Sequence, residues 1–373
     1  MRKARHGWSA KRIASISMAC LVVVAFAGIG HTDDSSSPQP QATVAARLRA
    51  QFDALGLADV PDHVIATLSS VRKIDEYPVY TMHYVGPYVD SDELLGTTAS
   101  AESVAWGCSL FSAVGDGNEP VFGRNFDWDY SPLLVVLLEP EEGYRSMMSI
   151  DIAYLVDEGV IDCLETASAE DLAPLLDAPF LTFDGMNENG LAIGMASVEY
   201  ECGYPTNPEN RDVGDLRLMR EVLESAGTVD EAVELLEGIN PVSQGGPNTH
   251  YLIADRTSAA ALVEYHDGEM YVFRSDAATP WLVGTNFPVN RTGGSPSGHC
   301  WRYDLIQRRL QESDGNLSVE DAMGLLIDAA MPMMPWGVTT RWSIVYDLAE
   351  LEMHLAIEKD LENMHTFSFE ETW

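Results

Sequence analysis

A single thiol placed between two apolar runs constrains this chain more than any other feature. Cys108 opens the apolar run 108–114, and a second run, 120–124, leads on to Asp127. The residues between the runs, Gly-Asp-Gly-Asn-Glu-Pro at 115–120, have the composition of a turn. We therefore predict a β-hairpin whose return strand brings Arg124 and Asp127 to the place where Cys108 lies.

This arrangement allows two interpretations. A cation beside a thiol lowers its pKa and favours the thiolate, which is the nucleophilic form, so Cys108 with Arg124 can make a catalytic nucleophile. A free cysteine is also commonly a small buried hydrophobic residue, and Arg124 with Asp127 would then be an ordinary surface pair. Residue types alone favour the second interpretation.

The motifs around the hairpin change that balance. Cys-Ser-Leu-Phe at 108–111, followed by Gly-Arg-Asn-Phe-Asp at 123–127, resembles the linear-amide C-N hydrolases of the N-terminal-nucleophile superfamily. That group includes choloylglycine (bile salt) hydrolases, acid ceramidase, N-acylethanolamine acid amidase and penicillin acyltransferase-like proteins. Later segments are similar to further motifs of the group, in its order, at 183–192, 249–255 with 261–265, 284–288 and 301–303. The resemblance extends from about residue 74 to residue 369.

The pattern of elements predicts an α+β fold. Strands grouped in twos and threes, with helices in pairs between them, do not fit a βαβ parallel sheet. The predicted helices are 44–57, 62–71, 213–226, 229–236, 302–312 and 319–329. The predicted strands are 79–85, 108–114, 120–124, 133–138, 147–154, 191–198, 250–254, 260–265, 270–273, 282–285, 342–346 and 353–357. The resemblance implies, more specifically, a four-layer αββα sandwich.

The resemblance also implies how the thiol is activated. In the similar proteins the cysteine becomes N-terminal, here through cleavage of the Gly107-Cys108 bond, and its free α-amine then serves as the local base. Asp127 would accept a hydrogen bond from that amine, and Arg124 would steady the thiolate. A glycine before the thiol leaves its carbonyl sterically open to attack by the sulfur.

Two further roles follow from the resemblance. Asn286 would donate to the oxyanion, and Arg302 would complete the charge balance around Asp127. Each has a plain alternative, because Asn286 near Pro288 has the composition of a turn, and Arg302 could be a solvated helix position. Bile salt hydrolases usually carry an asparagine where this chain has Ser197, so Ser197 or a neighbouring N–H would have to replace that donor.

The N-terminal region has the pattern of an exported protein. Basic residues precede an apolar stretch at 16–29, and Ala25-Phe26-Ala27 offers a signal-peptidase site. We predict a signal peptide at 1–27, a polar linker at 28–43, an N-terminal segment or light fragment at 44–107 packed on the core, and a catalytic domain at 108–373. The alternative is an uncleaved membrane anchor, which the shortness of the apolar stretch disfavours. The expected location is secreted or otherwise extracytoplasmic.

Composition excludes several classes of partner. With 22 basic and 58 acidic residues the net charge is −36, which repels nucleic acids and anionic membranes. No metal or cofactor motif is present, and we expect neither. Cys20 belongs to the leader, and at most one disulfide is expected among Cys163, Cys202 and Cys300. His83, His250, His266 and His299 lie near motifs, but we expect them to be structural.

We therefore expect an enzyme that hydrolyses a small-molecule N-acyl amide with an apolar acyl group, as a monomer or a homo-oligomer. Two other reactions stay open: acyl transfer of the penicillin acyltransferase type, and bile salt hydrolysis. A secreted binding protein on the same scaffold is the non-enzymatic alternative. Candidate acyl-pocket residues, all of which could instead belong to the core, are Leu133, Leu134, Met331, Met333, Met334 and Trp336.

Overall fold

The computed structural model describes residues 41–95, 107–114, 120–198, 203–243 and 247–370. The signal peptide, most of the linker and Cys202 lie outside these residues. The helices are α1 (Gln41–Ala54), α2 (Asp62–Ser69), α3 (Ser91–Leu95), α4 (Glu158–Ile161), α5 (Ala169–Leu172), α6 (Arg217–Ser225), α7 (Val229–Glu237), α8 (Trp301–Glu312) and α9 (Val319–Asp328). Short 3₁₀ segments lie at Ile152–Tyr154, Leu164–Thr166, Ala173–Phe180 and Val289–Thr292. Within the described residues no helix is both long and apolar enough to cross a membrane.

The strands form two large sheets and one small pair. They are β1 (Arg72–Lys73), β2 (Val79–Val85), β3 (Gly107–Ala113), β4 (Val121–Trp128), β5 (Leu133–Glu139), β6 (Ser146–Asp151), β7 (Asp184–Asn187), β8 (Leu191–Val198), β9 (Arg211–Gly214), β10 (Ile239–Val242), β11 (Asn248–Asp255), β12 (Ala260–His266), β13 (Glu269–Arg274), β14 (Trp281–Gly284), β15 (Thr339–Asp347), β16 (Glu352–Ile357) and β17 (His365–Ser368). The nine-stranded sheet has the order β1-β2-β5-β6-β7-β8-β11-β12-β13, and the six-stranded sheet has the order β14-β3-β4-β15-β16-β17. Neighbours are antiparallel except for β2 with β5 and β9 with β10.

Helices cover the outer faces of both sheets. α6 and α7 pack on β7, β8, β11 and β12, and α8 and α9 pack on β3, β4, β14 and β15. The sheets meet face to face where β3 and β14 contact β8, β11 and β12. The layers are therefore helix, sheet, sheet and helix, as the α+β prediction and its αββα form require.

Stacked aromatic rings join the two sheets. Phe126 of β4 stacks on Trp342 of β15 with ring centroids 4.3 Å apart, and on its other side lies Phe183, at 5.4 Å, just before β7. All three rings are fully buried. Burying each contributes about 1.5–3 kcal/mol to stability, and the stack lies directly beside Arg124.

Most predicted elements are present, with three local differences. The helix predicted at 213–226 begins only at Arg217, because residues 211–214 pair in parallel with β10. The strand predicted at 147–154 ends at Asp151, whose carboxylate accepts the Ala153 N–H and starts a 3₁₀ turn. The return strand of the hairpin runs to Trp128 instead of ending at residue 124.

Candidate active site

The hairpin register decides which groups meet Cys108. In the β3–β4 pair, Gly107 lies opposite Asp127, Cys108 opposite Phe126, and Leu110 opposite Arg124. Side chains alternate between the two faces of a strand. Cys108 and Arg124 therefore share the face that points between the sheets, whereas Asp127 points to the opposite face, toward α8.

Arg124 holds the thiol on the inner face. Its Nη2 donates to Cys108 Sγ at 3.4 Å, and its Nη1 forms an ion pair with Asp184 of β7. Both Arg124 and Asp184 are fully buried, and the hydroxyls of Ser149 and Tyr346 also donate to Asp184. One guanidinium thus links the six-stranded sheet, the nine-stranded sheet and the candidate nucleophile.

Arg302 binds the backbone of Cys108 from the helical side. Its Nη1 donates to the Cys108 carbonyl and to Asp127 Oδ2, each at 2.7 Å, and its Nη2 donates to Asn286 Oδ1 at 2.7 Å. Arg302 lies in the first turn of α8 and is 5% exposed. It is therefore not a solvated helix position.

Asn286 connects Cys108 to the nine-stranded sheet. Its Oδ1 accepts the Cys108 N–H at 3.0 Å, and its Nδ2 donates to the carbonyl and the hydroxyl of Ser197, both at 2.9 Å. Ser197 lies in β8, at the position where the sequence departs from bile salt hydrolases. Asn286, expected as an oxyanion donor, thus directs its amide at Ser197 while the chain is uncut.

Asp127 pairs with Arg302 and also with Thr340, a residue that the sequence did not single out. Its carboxylate accepts from Arg302 and from the Thr340 hydroxyl, while the Cys108 nitrogen donates to Asn286. A β-bulge at Arg341 shifts the register of β15 and places Thr340 opposite Asp127. The expected hydrogen bond from a Cys108 α-amine to Asp127 belongs to the cleaved chain and remains a prediction.

Gly107 is fixed by the space available to it. A Cβ at this position would lie 3.1 Å from Asp127 Cβ and 3.2 Å from Asp127 Oδ2. Contacts this short are rare, so a larger residue would push the carboxylate away from Arg302. The residue before the thiol thus lets Asp127 approach the backbone.

Burial sets the proton affinities of the site. Desolvation raises the pKa of the Cys108 thiol; Arg124 opposes this shift and Asp127 adds to it. Desolvation likewise raises the pKa of Asp127, against the effect of Arg302. In the uncut chain the thiol is therefore held in its neutral form, and a proton acceptor is needed before the sulfur can react.

Several of these residues could not be named from sequence. Asp184, Ser149, Thr340 and Tyr346 contact the site from three different strands, β7, β6 and β15. The motif at 183–192 was recognised, and an acidic residue opening an apolar strand was a signal that could have singled out Asp184. Ser149, Thr340 and Tyr346 carry no comparable signal.

Cys163 and Cys300 form no disulfide with each other. Among the residues that the structure describes, no group of three or more His, Cys, Asp or Glu side chains could hold a metal ion.

The chain is similar to one known enzyme family and to several known structures. Residues 108–288 match the family described as linear amide C-N hydrolases, choloylglycine hydrolase family. Among curated proteins, none matches the chain significantly. Two variants of conjugated bile acid hydrolase from Clostridium perfringens have similar structures, at 15% and 14% identity and TM-scores of 0.53 and 0.52, and each match covers 70% of this chain and 92% of theirs. Penicillin V acylase from Agrobacterium tumefaciens is 19% identical, with a TM-score of 0.49, over 70% of this chain and 86% of its own.

The matched segment begins at Cys108 itself and ends just beyond Asn286. The bile acid hydrolase likeness supports the fold. Through residues 108–288 the chain is therefore similar to the choloylglycine hydrolase family of linear amide C-N hydrolases, and its fold is similar to that of the conjugated bile acid hydrolase structures.

Proposed function

We propose that the chain is an exported cysteine hydrolase that cleaves the bond between Gly107 and Cys108 and then hydrolyses linear N-acyl amides through a thioester. The observation that carries this proposal is the set of contacts around Cys108. Arg124 donates a hydrogen bond to its sulfur, Asn286 accepts one from its backbone N–H, and Arg302 donates one to its carbonyl. A cysteine that served only as packing would not need all three of its polar groups held by side chains from three separate segments of the chain.

Activation requires the sulfur to react with its own chain. The Cys108 thiol loses its proton and attacks the Gly107 carbonyl carbon, the carbon-nitrogen bond to Cys108 breaks, and its nitrogen takes up a proton as an amine. Water then cleaves the resulting thioester, which leaves a Gly107 carboxylate and restores the thiol. The fragment ending at Gly107 is separated from a catalytic chain that begins at Cys108.

The free α-amine then supplies the missing proton acceptor. Its unperturbed pKa is about 8, so near neutral pH it can take the thiol proton. The thiolate attacks the substrate carbonyl, the amine protonates the leaving nitrogen, and water hydrolyses the acyl thioester. Asn286, which accepts from the Cys108 nitrogen and donates to Ser197, is the side chain that we assign to the oxyanion donor in the cleaved chain.

The assignment of an apolar acyl group to the substrate is supported by a turn near the site that contains Met333 and Trp336. Leu133 and Leu134 are fully buried core residues, as the plain alternative expected, but Met333 and Trp336 are 63% and 67% exposed. Their turn is tied to the site because Thr340, which contacts Asp127, also accepts the Met331 N–H at 2.7 Å. Exposed apolar side chains in this position suit an apolar substrate.

Export is supported by the leader pattern at 1–27 alone. When the full-length sequence, including the leader, is expressed, we expect the purified protein to lack residues 1–27. Cell fractionation should find the protein outside the cytoplasm.

Turnover tests the proposed reaction. Purified full-length protein is incubated with N-acyl amides of increasing acyl length, bile salt conjugates and penicillins, with and without an acceptor amine. We expect release of free acid from apolar N-acyl amides, and a covalent acyl adduct on the fragment that begins at Cys108. Cys108→Ala should abolish both, whereas Cys163→Ala should retain both. Formation of an acyl-acceptor product instead of free acid would identify a transferase, and no turnover of any amide would refute the proposal.

A further inference from the structure

A buried carboxylate outside the site anchors the segment that follows Asn286. Glu264 of β12 is 1% exposed. Its Oε1 accepts the N–H of Val289 at 2.7 Å, and its Oε2 accepts the N–H of Asn290 at 2.8 Å. These two residues begin the 3₁₀ turn three and four positions after Asn286. The nine-stranded sheet therefore holds the loop on its C-terminal side.

A histidine holds Glu264 and contacts the loop on its other side. His250 of β11 is also 1% exposed, and its Nδ1 lies 2.9 Å from Glu264 Oε1. A Cβ at Gly284 would lie 3.5 Å from His250 Nε2. The imidazole therefore packs against the strand end two residues before Asn286.

The same strand leads to the partner of the Asn286 amide. His250 follows Thr249, which pairs with Ser197 of β8, and Ser197 receives both hydrogen bonds from Asn286 Nδ2. The nine-stranded sheet thus holds the Asn286 side-chain amide through Ser197. Through the His250–Glu264 pair it also contacts the backbone before Asn286, at Gly284, and after it, at Val289 and Asn290.

We propose that the Glu264–His250 pair positions Asn286 against Cys108. This inference rests on the proposed function. Neither residue touches the thiol or a reacting atom, so both act through Asn286 and are positioning residues. A carboxylate suits the task because both of its oxygens accept, whereas a glutamine would turn an N–H₂ group toward one of the backbone donors.

Hydrogen exchange tests the anchoring without an activity assay. In Glu264→Gln we expect the amide of residue 289 or of residue 290 to exchange at least about tenfold faster, because one of the two acceptor oxygens becomes an N–H₂ donor. The readout is mass spectrometry of peptides covering residues 285–292 in the full-length protein.

Asp255 provides a matched control. It is a buried carboxylate that accepts backbone N–H groups, including that of Val229 at 2.7 Å, at the start of α7. Asp255→Asn should speed exchange near residue 229 and leave peptides 285–292 and turnover unchanged. Glu264→Gln should speed exchange in peptides 285–292 and lower turnover, and should leave exchange near residue 229 unchanged. The two variants should lose a comparable amount of thermal stability.

Turnover then tests the positioning role. With the best substrate of the wild type, Glu264→Gln should lower kcat about tenfold with little change in KM. In an Asn286→Ala background, the same substitution should lower kcat by less than about twofold. A residue that acts only on overall stability would give the same factor in both backgrounds.

If Glu264→Gln does not fold, two His250 variants replace it. His250→Asn keeps a hydrogen-bond donor near Glu264 and should retain most of the wild-type kcat. His250→Leu removes the donor and should lose most of that kcat. Unchanged exchange at residues 285–292, or an equal loss of kcat with and without the Asn286 side chain, would overturn the inference. The exchange result stands even if the wild type cleaves no amide, so the two failures are distinguishable.

Discussion

Arg124 is shared between a carboxylate and a thiol, and this sharing determines how strongly its charge acts on Cys108. Asp184 neutralises the guanidinium from the nine-stranded sheet, while the sulfur lies 3.4 Å from its other nitrogen. The strength of the nucleophile therefore depends on a residue that never contacts it.

Removing the carboxylate should cost stability and strengthen the thiolate. Breaking a buried ion pair by replacing one partner typically costs about 3–5 kcal/mol. We expect Asp184→Asn to lose stability on this scale in urea unfolding, and to move alkylation of Cys108 to lower pH, because Arg124 keeps only the sulfur as an anionic partner.

The matched control for Asp184 is Glu188, which pairs with Arg145 at a partly exposed site. Glu188→Gln should cost no more than about 1 kcal/mol. Equal stability losses in the two variants, or an unchanged alkylation profile in Asp184→Asn, would contradict this account of Arg124.

Asp151 gives the fold a pH dependence that does not involve the site. Burial raises the pKa of its carboxyl to about 7, although the Ser131 hydroxyl and the Ala153 N–H both donate to it. The folded chain therefore prefers the protonated form more than the unfolded chain does. The resulting stability is fully present below about pH 4 and is lost as pH rises through 7.

We expect urea midpoints to report this contribution, which is about 4 kcal/mol in total. Between pH 5 and pH 8, wild type should lose more stability than Asp151→Asn, in which no proton can be lost at this position. A parallel loss in both proteins would show that Asp151 does not titrate near 7.

At the residue scale, the sequence could predict what the hairpin brings together. Cys108, Arg124 and Asp127 are brought together by the single register in which β3 and β4 pair. Asp184, Thr340 and Glu264 reach the site or its loop only through contacts between different strands and sheets. Periodicity along one strand carries no information about such contacts.

At the scale of elements, residues 41–95, which precede Cys108, are part of the main fold. β2 pairs with β5 along its length in the nine-stranded sheet, and α2 packs on β2. Tyr80 of β2 is 1% exposed and donates its hydroxyl hydrogen to the Ile161 carbonyl. Burial of each large apolar side chain contributes about 1.5–3 kcal/mol, so several together can hold a cut segment.

We therefore expect cleavage at Gly107-Cys108 to leave a tight non-covalent complex. The two fragments should elute together in native size-exclusion chromatography and separate in denaturant. A reducing agent should make no difference, because residues 28–107 contain no cysteine. Elution of a free light fragment in native buffer would contradict this prediction.

The elements that sequence analysis missed share a physical cause. β9 and β10 have four residues each, which is too short for a clear alternation, and among the described strands they pair only with one another. In 152–180 the chain forms only short helical turns, and Pro174 and Pro179 interrupt their backbone hydrogen bonding. Long buried strands such as β8 were predictable because continuous apolar runs specify them.

At the scale of the whole molecule, charge should make stability depend on salt. A net charge of −36 implies strong self-repulsion in the folded state. Between roughly 0.01 M and 1 M salt the Debye length falls from about 30 Å to 3 Å, which screens this repulsion. We expect Tm to rise over this range, equally in NaCl and KCl, whereas a flat or falling Tm would show that repulsion is not limiting.

The central claim is that Cys108 becomes the first residue of the working enzyme by its own reaction. Intact mass and N-terminal sequencing of the purified full-length protein test this claim most directly, with wild type beside Cys108→Ala. We predict a wild-type fragment that begins at Cys108 and a Cys108→Ala chain that stays joined through residues 107 and 108. An uncut wild type, or a Cys108→Ala chain cut at the same bond, would contradict the claim.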